Sequence, residues 1–248
     1  MEAEIKEKKI ENHIEKVQKR DGRIVPFEQE KIAEFLGAVD EKINHLEEKK
    51  KGFEKYKKGV MQAIFSQKIR FRQSDGSNYP DWEEKKLGEL LNYDQPTKYI
   101  VQSTEYANSN KTPVLTAGKT FILGYTNEIN GIYNDLPVII FDDFTTTSQF
   151  VTFPFKVKSS AMKILKPKND ANIKFVFEAM QTIKHEVGGH GRHWISKFAG
   201  IKTRVPDINE QEKIAEFLTA LDNKVDLINK ELEQAKLFKK SLLQKMFV

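Results

Sequence analysis

Cysteine is absent from this sequence of 248 residues. Its absence excludes disulfide bonds, thiolate nucleophiles and the zinc sites that use sulfur ligands. Long apolar runs are also missing: no stretch approaches the roughly 18 residues of a membrane-spanning helix, and the N-terminus lacks the apolar core of a signal peptide. We therefore expect a cytoplasmic protein that does not contact a membrane.

Catalytic motifs are missing as well. The chain has no glycine-rich nucleotide loop, no Gly-x-Ser-x-Gly elbow and no Asn-Pro-Pro-aromatic string of base-methylating enzymes. The segment from His185 to His190 resembles the zinc-peptidase helix, but its histidines are five residues apart instead of four, and two glycines interrupt it. Asp142 and Asp143 follow a predicted strand, and the lack of a downstream Glu-x-Lys pair favours a surface turn over a magnesium site. We predict no catalytic residue, no metal and no cofactor, with a stand-alone nuclease or metallopeptidase as the weaker alternative.

The charge balance is only slightly basic. The chain has 41 Lys and Arg against 36 Asp and Glu, a net charge of +5. This excess is consistent with a polyanionic partner, but it is too thin for tight binding through one dense basic patch.

An internal repeat is the most informative feature of the sequence. The string EQEKIAEFL occurs at residues 28–36 and again at 210–218, an offset of 182 residues. At that offset, 16 of 38 aligned positions are identical through Phe65 and Phe247, which is far above chance. Val-Pro precedes each copy, and proline is tolerated at the start of a helix but not inside it. Both copies are therefore predicted to be long helices that begin just after the proline.

Apolar residues in both copies follow a heptad pattern, interrupted by Lys50 and Lys57 in the first copy and by Lys239 in the second. Two such helices can bury one stripe against the other as a coiled coil. The predicted interface consists of Ile32, Leu36, Val39, Ile43 and Leu46 in the first helix and Ile214, Leu218, Leu221, Val225, Ile228 and Leu232 in the second.

The intervening segment has a different character, with short β-branched or aromatic runs, turn residues and one amphipathic helix at residues 171–184. We predict an α+β protein in which a mixed α/β domain with a twisted sheet lies between the two long helices. Its parts are a charged leader or truncated remnant (1–23), a long helix (24–72), the mixed domain (73–204) and a second long helix (205–248). Strands are expected at residues 99–101, 121–125, 138–141, 149–155 and 162–165.

Polar loops of the mixed domain interleave basic, hydroxyl and aromatic residues. Lysine and arginine neutralise phosphates, while threonine and glutamine hydrogen-bond base edges. Ordinary surface turns use the same residue types, so loop position and chemistry alone select this set. The predicted DNA-contacting residues are Lys98, Lys111, Lys119, Thr145, Thr146, Thr147, Gln149, Arg192, His193 and Lys197.

The repeat, the intervening domain and two strings, Tyr79–Leu90 and Gly188–Lys197, together resemble the specificity subunits of type I restriction-modification systems. Arg204-Val205-Pro206 followed by Glu210–Ala215 matches the family's entry into its second conserved helix, and the match extends over about residues 24–248. The resemblance implies a non-catalytic subunit whose target-recognition domain reads half of a bipartite site in double-stranded DNA. Family members have two recognition domains, whereas this sequence shows one.

The resemblance also implies methyltransferase and restriction subunits as partners. Because this chain has one recognition domain, we expect a homodimer, or a pairing with another specificity subunit, to supply the second recognition domain. A two-fold symmetric dimer reads a palindromic interrupted site. The alternative is a truncated assembly fragment, or recombination cassette, that pairs through its helices without binding DNA.

Overall fold

The computed structural model describes residues 16–18, 22–26, 29–116, 120–168, 171–183 and 193–246. Single 3-10 turns occur at Pro96–Tyr99 and Phe198–Gly200. No described helix is long and apolar enough to cross a membrane. In chain order the elements are β1 (Lys16–Gln18), β2 (Ile24–Pro26), α1 (Gln29–Phe65), β3 (Glu83–Lys86), α2 (Leu87–Leu90), β4 (Leu91–Asp94), β5 (Thr112–Leu115), β6 (Ile122–Thr126), β7 (Val138–Asp142), β8 (Ser148–Val151), β9 (Lys156–Val157), β10 (Met162–Pro167), α3 (Ile173–Thr182), α4 (His193–Ser196), β11 (Lys202–Val205) and α5 (Ile208–Met246).

The two copies of the repeat form the long helices α1 and α5. Each helix begins two or three residues after its proline, Pro26 or Pro206, as the sequence predicts. The chain divides into two compact units, residues 1–52 with 225–248 (unit 1) and residues 53–224 (unit 2). Each long helix therefore contributes to both units.

Unit 1 contains the first part of α1 and the last part of α5, which run antiparallel. Lys239 pairs with Asp40, and Lys236 Nζ lies 2.6 Å from Glu47 Oε1. The residue number of the partner on α5 therefore decreases as the residue number on α1 increases, as in an antiparallel pair. The segment predicted as a charged leader includes strand β1, which pairs antiparallel with β2 through Val17 and Val25.

Unit 2 is built around an antiparallel sheet with strand order β4-β10-β7-β8. The residues of strand β7 show that both faces of this sheet are buried. Ile139 and Phe141 point into one core cluster, whereas Val138 and Ile140 belong to another. Successive side chains of a strand point to opposite faces, so a run of apolar residues means that both faces are buried.

The first core cluster, on one face of this sheet, includes the helix α3 and the near ends of both long helices. Phe175 of α3, Ile64 of α1 and Ile214 of α5 are all buried in it. The second cluster covers the other face with residues from the β6-β5-β9 sheet and its surroundings, such as Leu115 and Val157. The compact unit consequently extends beyond the 73–204 segment set by composition, because the helix ends share its core.

The predicted α+β class is confirmed, and the predicted strands at 121–125, 138–141 and 162–165 each coincide with an observed strand. The predicted strand at 149–155 is observed only from residue 148 to 151, and residues 156–157 form a separate short strand. The strand predicted at 99–101 is wrong. Pro96 starts a 3-10 turn that ends at Tyr99, and only an isolated bridge from Ile100 to Val157 follows. The proline fixes φ near the helical value and so favours the turn.

Candidate nucleic-acid interface

A hydroxyl-rich loop joins β7 to β8, and Asp142 organises it. The Asp142 carboxylate accepts hydrogen bonds from the Phe144 backbone N–H (2.9 Å) and from the Thr145 hydroxyl. The main chain of Asp142 also forms hydrogen bonds with the loop. The Asp142 N–H donates to the Thr147 carbonyl, and the Asp142 carbonyl accepts from the Thr146 N–H, both at 2.9 Å. Thr146 adopts a positive φ of 61°, which an aspartate-anchored turn can hold at a non-glycine residue. The three threonines are therefore fixed in one compact turn.

Asp143 attaches a second element to the same strand end. Its side chain is almost fully buried and accepts a hydrogen bond from the Trp194 N–H at 2.8 Å. Its carbonyl accepts from the His193 N–H at 3.1 Å, and Lys163 Nζ lies 3.7 Å from the second carboxylate oxygen. The predicted turn at these aspartates is observed, but both carboxylates are buried hydrogen-bond acceptors instead of surface groups.

Thr146, Thr147, Ser148 and Gln149 line a pocket of about 360 Å³. The end of α3, Ile183 and Phe198 also line it. Gln181 of α3 connects the loop to the helix, because its amide donates to the Ser148 hydroxyl at 2.8 Å. The lining residues thus include hydroxyl, amide and apolar types. Hydroxyl and amide groups donate and accept hydrogen bonds, as base edges require.

The structure distributes the other predicted DNA-contacting residues over several places. Lys98, in the 3-10 turn, and Lys111, just before β5, are exposed near the β6-β5-β9 sheet, whereas Lys197 is exposed after α4. Lys119 and Arg192 lie outside the described residues, as does the His185–His190 motif. In the described part of the chain, no cluster of three or more His, Asp or Glu could hold a metal ion.

The prediction for His193 needs correction. Its side chain is 2% exposed and starts α4 beneath the loop, so its ring is not available to a nucleic acid. Neighbouring glycines and basic residues suggested an exposed turn, but the tertiary hydrogen bond to Asp143 draws this position inward.

Two polar residues of the pocket, Ser148 and Gln181, are absent from the predicted DNA-contacting set. Ser148 follows three threonines directly, so the hydroxyl run itself was a signal for it. Gln181 offered one weaker signal, as a polar residue in the last turn of an amphipathic helix. Its approach to Ser148 depends on the packing of α3 against β8 and cannot be read from the sequence.

Most positions predicted for the helix interface are less exposed than their helical neighbours. Ile43, Leu46, Ile228 and Leu232 are buried in unit 1, and Ile214 and Leu218 are buried in unit 2. The others are partly buried: Ile32, Leu36, Val39, Leu221 and Val225.

Two of the lysines that interrupt the heptad pattern form ion pairs. Lys57 pairs with Asp222 in unit 2, and Lys239 pairs with Asp40 in unit 1. In unit 2, Lys174 and Glu178 of α3 join the pair. Lys174 Nζ lies 2.7 Å from both carboxylates, and Lys57 Nζ lies 3.0 Å from Glu178 Oε1. We call these four residues the unit 2 tetrad.

The tetrad shifts the pKa values of two of its members, Asp222 and Lys57. Burial favours the neutral form of Asp222, but hydrogen bonds from Lys174 and Lys57 outweigh it and hold its pKa below the usual 3.8. Burial likewise favours neutral Lys57, but the hydrogen bond to Asp222 and the charge of Glu178 leave its pKa above the usual 10.5. The Lys57 ammonium and the Asp222 carboxylate are therefore charged at neutral pH. The ion pairs of the four residues join α3 to both long helices within unit 2.

The repeated string beginning with Glu-Gln has a structural role in its second copy. Glu210 is fully buried and accepts hydrogen bonds from Arg70 Nη2 at 2.7 Å and from the Trp82 indole N–H at 3.1 Å. Gln211 accepts from the Asn172 N–H at 2.9 Å and donates to the Pro206 carbonyl at 3.0 Å. These contacts attach the start of α5 to α3 and to the segment after α1.

Comparison with known proteins places these features in a family context. A family model described as the type I restriction modification DNA specificity domain matches residues 79–237. The chain is 49% identical over 133 residues to the type I restriction enzyme EcoR124I/EcoR124II specificity subunit of Escherichia coli, covering 51% of this chain and 33% of that protein. It is 26% identical over 197 residues to the type I restriction enzyme MjaVIII specificity subunit of Methanocaldococcus jannaschii, covering 74% of this chain and 46% of that protein.

Among solved structures, the type I restriction-modification S subunit from M. genitalium has a TM-score of 0.68 and 20% identity. The alignment covers 92% of this chain and 64% of that one, and it establishes a shared fold. The chain spans 33% and 46% of the two curated relatives.

Proposed function

Because the chain belongs to the family of type I restriction modification DNA specificity domains, we propose that it reads one half of a bipartite double-stranded DNA site, with residues 73–204 as the target-recognition domain. The observation that carries the proposal is the pocket at the end of the β7–β8 loop. Five residues with hydrogen-bonding side chains line it: Thr146, Thr147, Ser148, Gln149 and Gln181. Amide side chains can contact two atoms of an adenine edge, and hydroxyls accept or donate as the base requires.

The rigidity of this surface supports a role in discrimination between bases. Buried Asp142 fixes the loop, and buried Asp143 fixes the adjoining α4. A preorganised polar surface loses little conformational entropy on binding, and a wrong base leaves its fixed groups unpaired. Lys98, Lys111 and Lys197 are assigned to phosphates, since their exposed ammonium groups carry no base information. We assign Lys119 and Arg192 the same role from the sequence alone.

The proposed function is non-catalytic and places the chain in the cytoplasm within a larger assembly. Methyltransferase and restriction subunits perform the chemistry, and a second specificity chain, identical or different, supplies the second reader. We also propose that the apolar stripes of α1 and α5 keep the helices paired as a coiled coil, which sets the spacing between half-sites. A longer helix pair is expected to change the spacer and leave the bases unchanged.

The experiment is to co-express the chain with its methyltransferase partner and to map methylated adenines across the host genome by single-molecule sequencing. A palindromic interrupted motif supports an identical second reader, and an asymmetric motif supports a different one. No motif, with the complex still assembled, contradicts DNA reading and favours the truncated assembly fragment.

Two variants separate base reading from phosphate binding. Gln149→Ala is expected to relax one position of the motif at a loss of about 1–3 kcal/mol for the cognate site. Lys197→Ala is expected to weaken all sequences alike and to reduce the salt slope of binding by about one unit. Gln234→Ala, an exposed glutamine on α5, is the control for the amide change and leaves the motif unchanged. If Gln149→Ala weakens every sequence equally, its assignment to a base is wrong.

A further inference from the structure

The hydroxyl groups of the β7–β8 loop form a chain of hydrogen bonds that starts at Asp142. One oxygen of the Asp142 carboxylate accepts from the Phe144 backbone N–H at 2.9 Å, and the other accepts from the Thr145 hydroxyl. The hydroxyl oxygens of Thr145 and Thr147 lie 2.8 Å apart, a distance that fits a hydrogen bond in either direction. Which of the two threonines donates therefore depends on where the Thr145 proton lies.

The Asp142 carboxylate takes the Thr145 proton. A hydroxyl has a single proton and two lone pairs, whereas a carboxylate only accepts hydrogen bonds. The Thr145 hydroxyl therefore donates to Asp142, and its oxygen must accept from the Thr147 hydroxyl. The Thr147 backbone N–H also points at this oxygen, at 3.4 Å. Although Thr145 is exposed, it has no proton to offer a ligand.

The Thr147 hydroxyl is consequently restricted to accepting. It gives its single proton to Thr145 and keeps its lone pairs. Within the described ranges of the chain, this hydroxyl has no hydrogen-bond partner besides Thr145. Thr147 is exposed and lines the pocket beside the loop. A group that ordinarily donates or accepts thus has one fixed polarity at this position.

The adjacent hydroxyl, that of Ser148, is not restricted in this way. It accepts from the Gln181 side-chain amide at 2.8 Å, and the same amide nitrogen also lies 3.4 Å from the Phe177 carbonyl, to which it donates. Accepting a hydrogen bond leaves the Ser148 proton available for donation. Two neighbouring hydroxyls of the pocket therefore differ, because the buried carboxylate of Asp142 fixes the polarity of Thr147 alone of the two.

A hydroxyl of fixed polarity distinguishes two classes of base. In the major groove the exocyclic amino groups of adenine (N6) and cytosine (N4) donate, whereas guanine O6 and thymine O4 accept. An accepting hydroxyl pairs with an amino group, but it faces a keto oxygen lone pair to lone pair. Both acceptors then lose their water without gaining a donor, which costs binding free energy. A hydroxyl that is free to rotate makes no such distinction.

We propose that Thr147 is a specificity-determining residue that accepts a hydrogen bond from the exocyclic amino group of an adenine or a cytosine in the major groove. Asp142 is the positioning residue that fixes this polarity, and Thr145 relays it without touching the base. The inference rests on the proposed function and deepens it, because it names the class of base that one residue of the pocket selects.

Asp142→Asn tests the polarity with almost no change of shape. The side-chain carbonyl of the variant still accepts from the Phe144 N–H, so its NH₂ group faces Thr145 and donates to it. The Thr145 proton is then released toward Thr147, whose own proton can turn outward. At one position of the mapped half-site, the preference for adenine or cytosine over guanine or thymine should fall from about tenfold to less than about twofold.

The relay is tested by a matched pair of variants at Thr145. Thr145→Val removes the hydroxyl and should reduce the preference at the same position as Asp142→Asn does. Thr145→Ser keeps the hydroxyl and should retain the preference. Thr219→Val, at an exposed threonine of α5, is the control and leaves every position unchanged. A purely structural role of the loop would instead weaken binding to all sequences alike and leave the ratios between bases intact.

The contact itself is tested with base analogues, so that the result does not depend on the Asp142 and Thr145 variants. The chain in complex with its methyltransferase partner is titrated with duplexes that carry the mapped motif. Purine replaces adenine, or 2-pyrimidinone replaces cytosine, at one position at a time, which removes the amino group. One replacement should weaken binding about tenfold for the unaltered chain and less than about twofold for Thr147→Val. The analogue that gives the loss identifies the base as adenine or cytosine.

The outcomes separate the parts of the inference. If no replacement gives a loss that Thr147→Val removes, the contact from Thr147 to an amino group is overturned. If Asp142→Asn and Thr145→Val bind DNA with the full preference, the control of polarity by Asp142 is overturned. Each measurement starts from a motif that is already mapped, so either failure leaves DNA reading intact. The absence of any motif contradicts the proposed function instead.

Discussion

Replacement of Glu210 by alanine tests whether the repeated Glu-Gln string fastens α5 to the recognition domain. Glu210 is fully buried, and its carboxylate accepts from Arg70 Nη2 at 2.7 Å, Arg70 Nε at 3.3 Å and the Trp82 indole N–H at 3.1 Å. The hydrogen bonds to this carboxylate also raise the pKa of Arg70, which keeps the guanidinium charged. The alanine leaves the Trp82 indole without its acceptor. Arg70 then keeps only the exposed Asp81 carboxylate at 3.5 Å and the carbonyls of Tyr79 and Pro80.

The expected loss follows from these contacts. Removing one partner of a buried ion pair costs about 3–5 kcal/mol of the free energy of unfolding, and an unsatisfied buried N–H contributes about 1–3 kcal/mol of that range. Arg70 keeps 23% of its side chain exposed, so water partly solvates the freed charge and the lower half of the range applies. We expect about 3 kcal/mol for Glu210→Ala and about 2 kcal/mol for Glu210→Gln, which retains an acceptor for the indole.

The assay is urea unfolding followed by tryptophan fluorescence. Both tryptophans, Trp82 and Trp194, lie in the core of unit 2, so the signal reports on that unit. Glu212→Ala, an exposed neighbour, is the control and should change the free energy by less than about 0.5 kcal/mol. A double-mutant cycle with Arg70→Ala should give a coupling energy above about 1 kcal/mol. A loss below about 1 kcal/mol for Glu210→Ala, without coupling, would refute the reasoning.

Three further predictions concern buried polar groups of unit 2. Asp143→Ala should cost about 3 kcal/mol in the same assay, because it removes the acceptor of the buried Trp194 N–H and the carboxylate that lies 3.7 Å from Lys163 Nζ; an unchanged midpoint would contradict this. Tyr133→Phe should be neutral within about 0.5 kcal/mol or stabilising, because the Tyr133 hydroxyl is buried and has no hydrogen-bond partner in the described structure. Burial also raises the pKa of Tyr133 to about 12, so absorbance titration of this variant should lose the ionisation of one tyrosine near that pH. The pKa of Asp222 lies below 3.8 in the folded chain, so the stability that this carboxylate contributes is complete above pH 3.8 and is lost as the pH falls through the folded pKa. Asp222→Asn should therefore reduce the fall of the unfolding midpoint at acid pH. An unaltered fall would argue against the ion pairs.

Much of the architecture could be predicted from local pattern. The Val-Pro pairs and the heptad stripes predicted α1 and α5 because proline position and apolar spacing act within a single helix. The apolar run at residues 138–141 predicted β7 for the same reason, since a strand covered on both faces needs no alternation. The hydroxyl run identified Thr146, Thr147 and Gln149, because a turn between adjacent strands must lie at a sheet end.

The tertiary structure decided how distant residues combine. Gln181 reaches Ser148, and His193 turns inward, because α3 and α4 pack on the β7–β8 end of the sheet. The lysines at 57 and 239 looked like interruptions of an apolar stripe, yet each is an ion-pair partner of an aspartate in the other copy of the repeat. No local rule connects residues so far apart in sequence, because their interaction energy exists only after the chain has brought them together.

The sequence by itself therefore determined the elements and the family: two repeated long helices with a mixed domain between them, similar to a DNA specificity subunit. Those properties depend on spacing along the chain, which a sequence displays directly. Only the tertiary structure decided which charges are buried, which hydroxyls and amides share a pocket, and which aspartates pair with the lysines at 57 and 239. Burial and pairing depend on distances through space, and a carboxylate such as Glu178 changes from a solvated helix charge to a buried ion-pair partner solely by the packing of its neighbours.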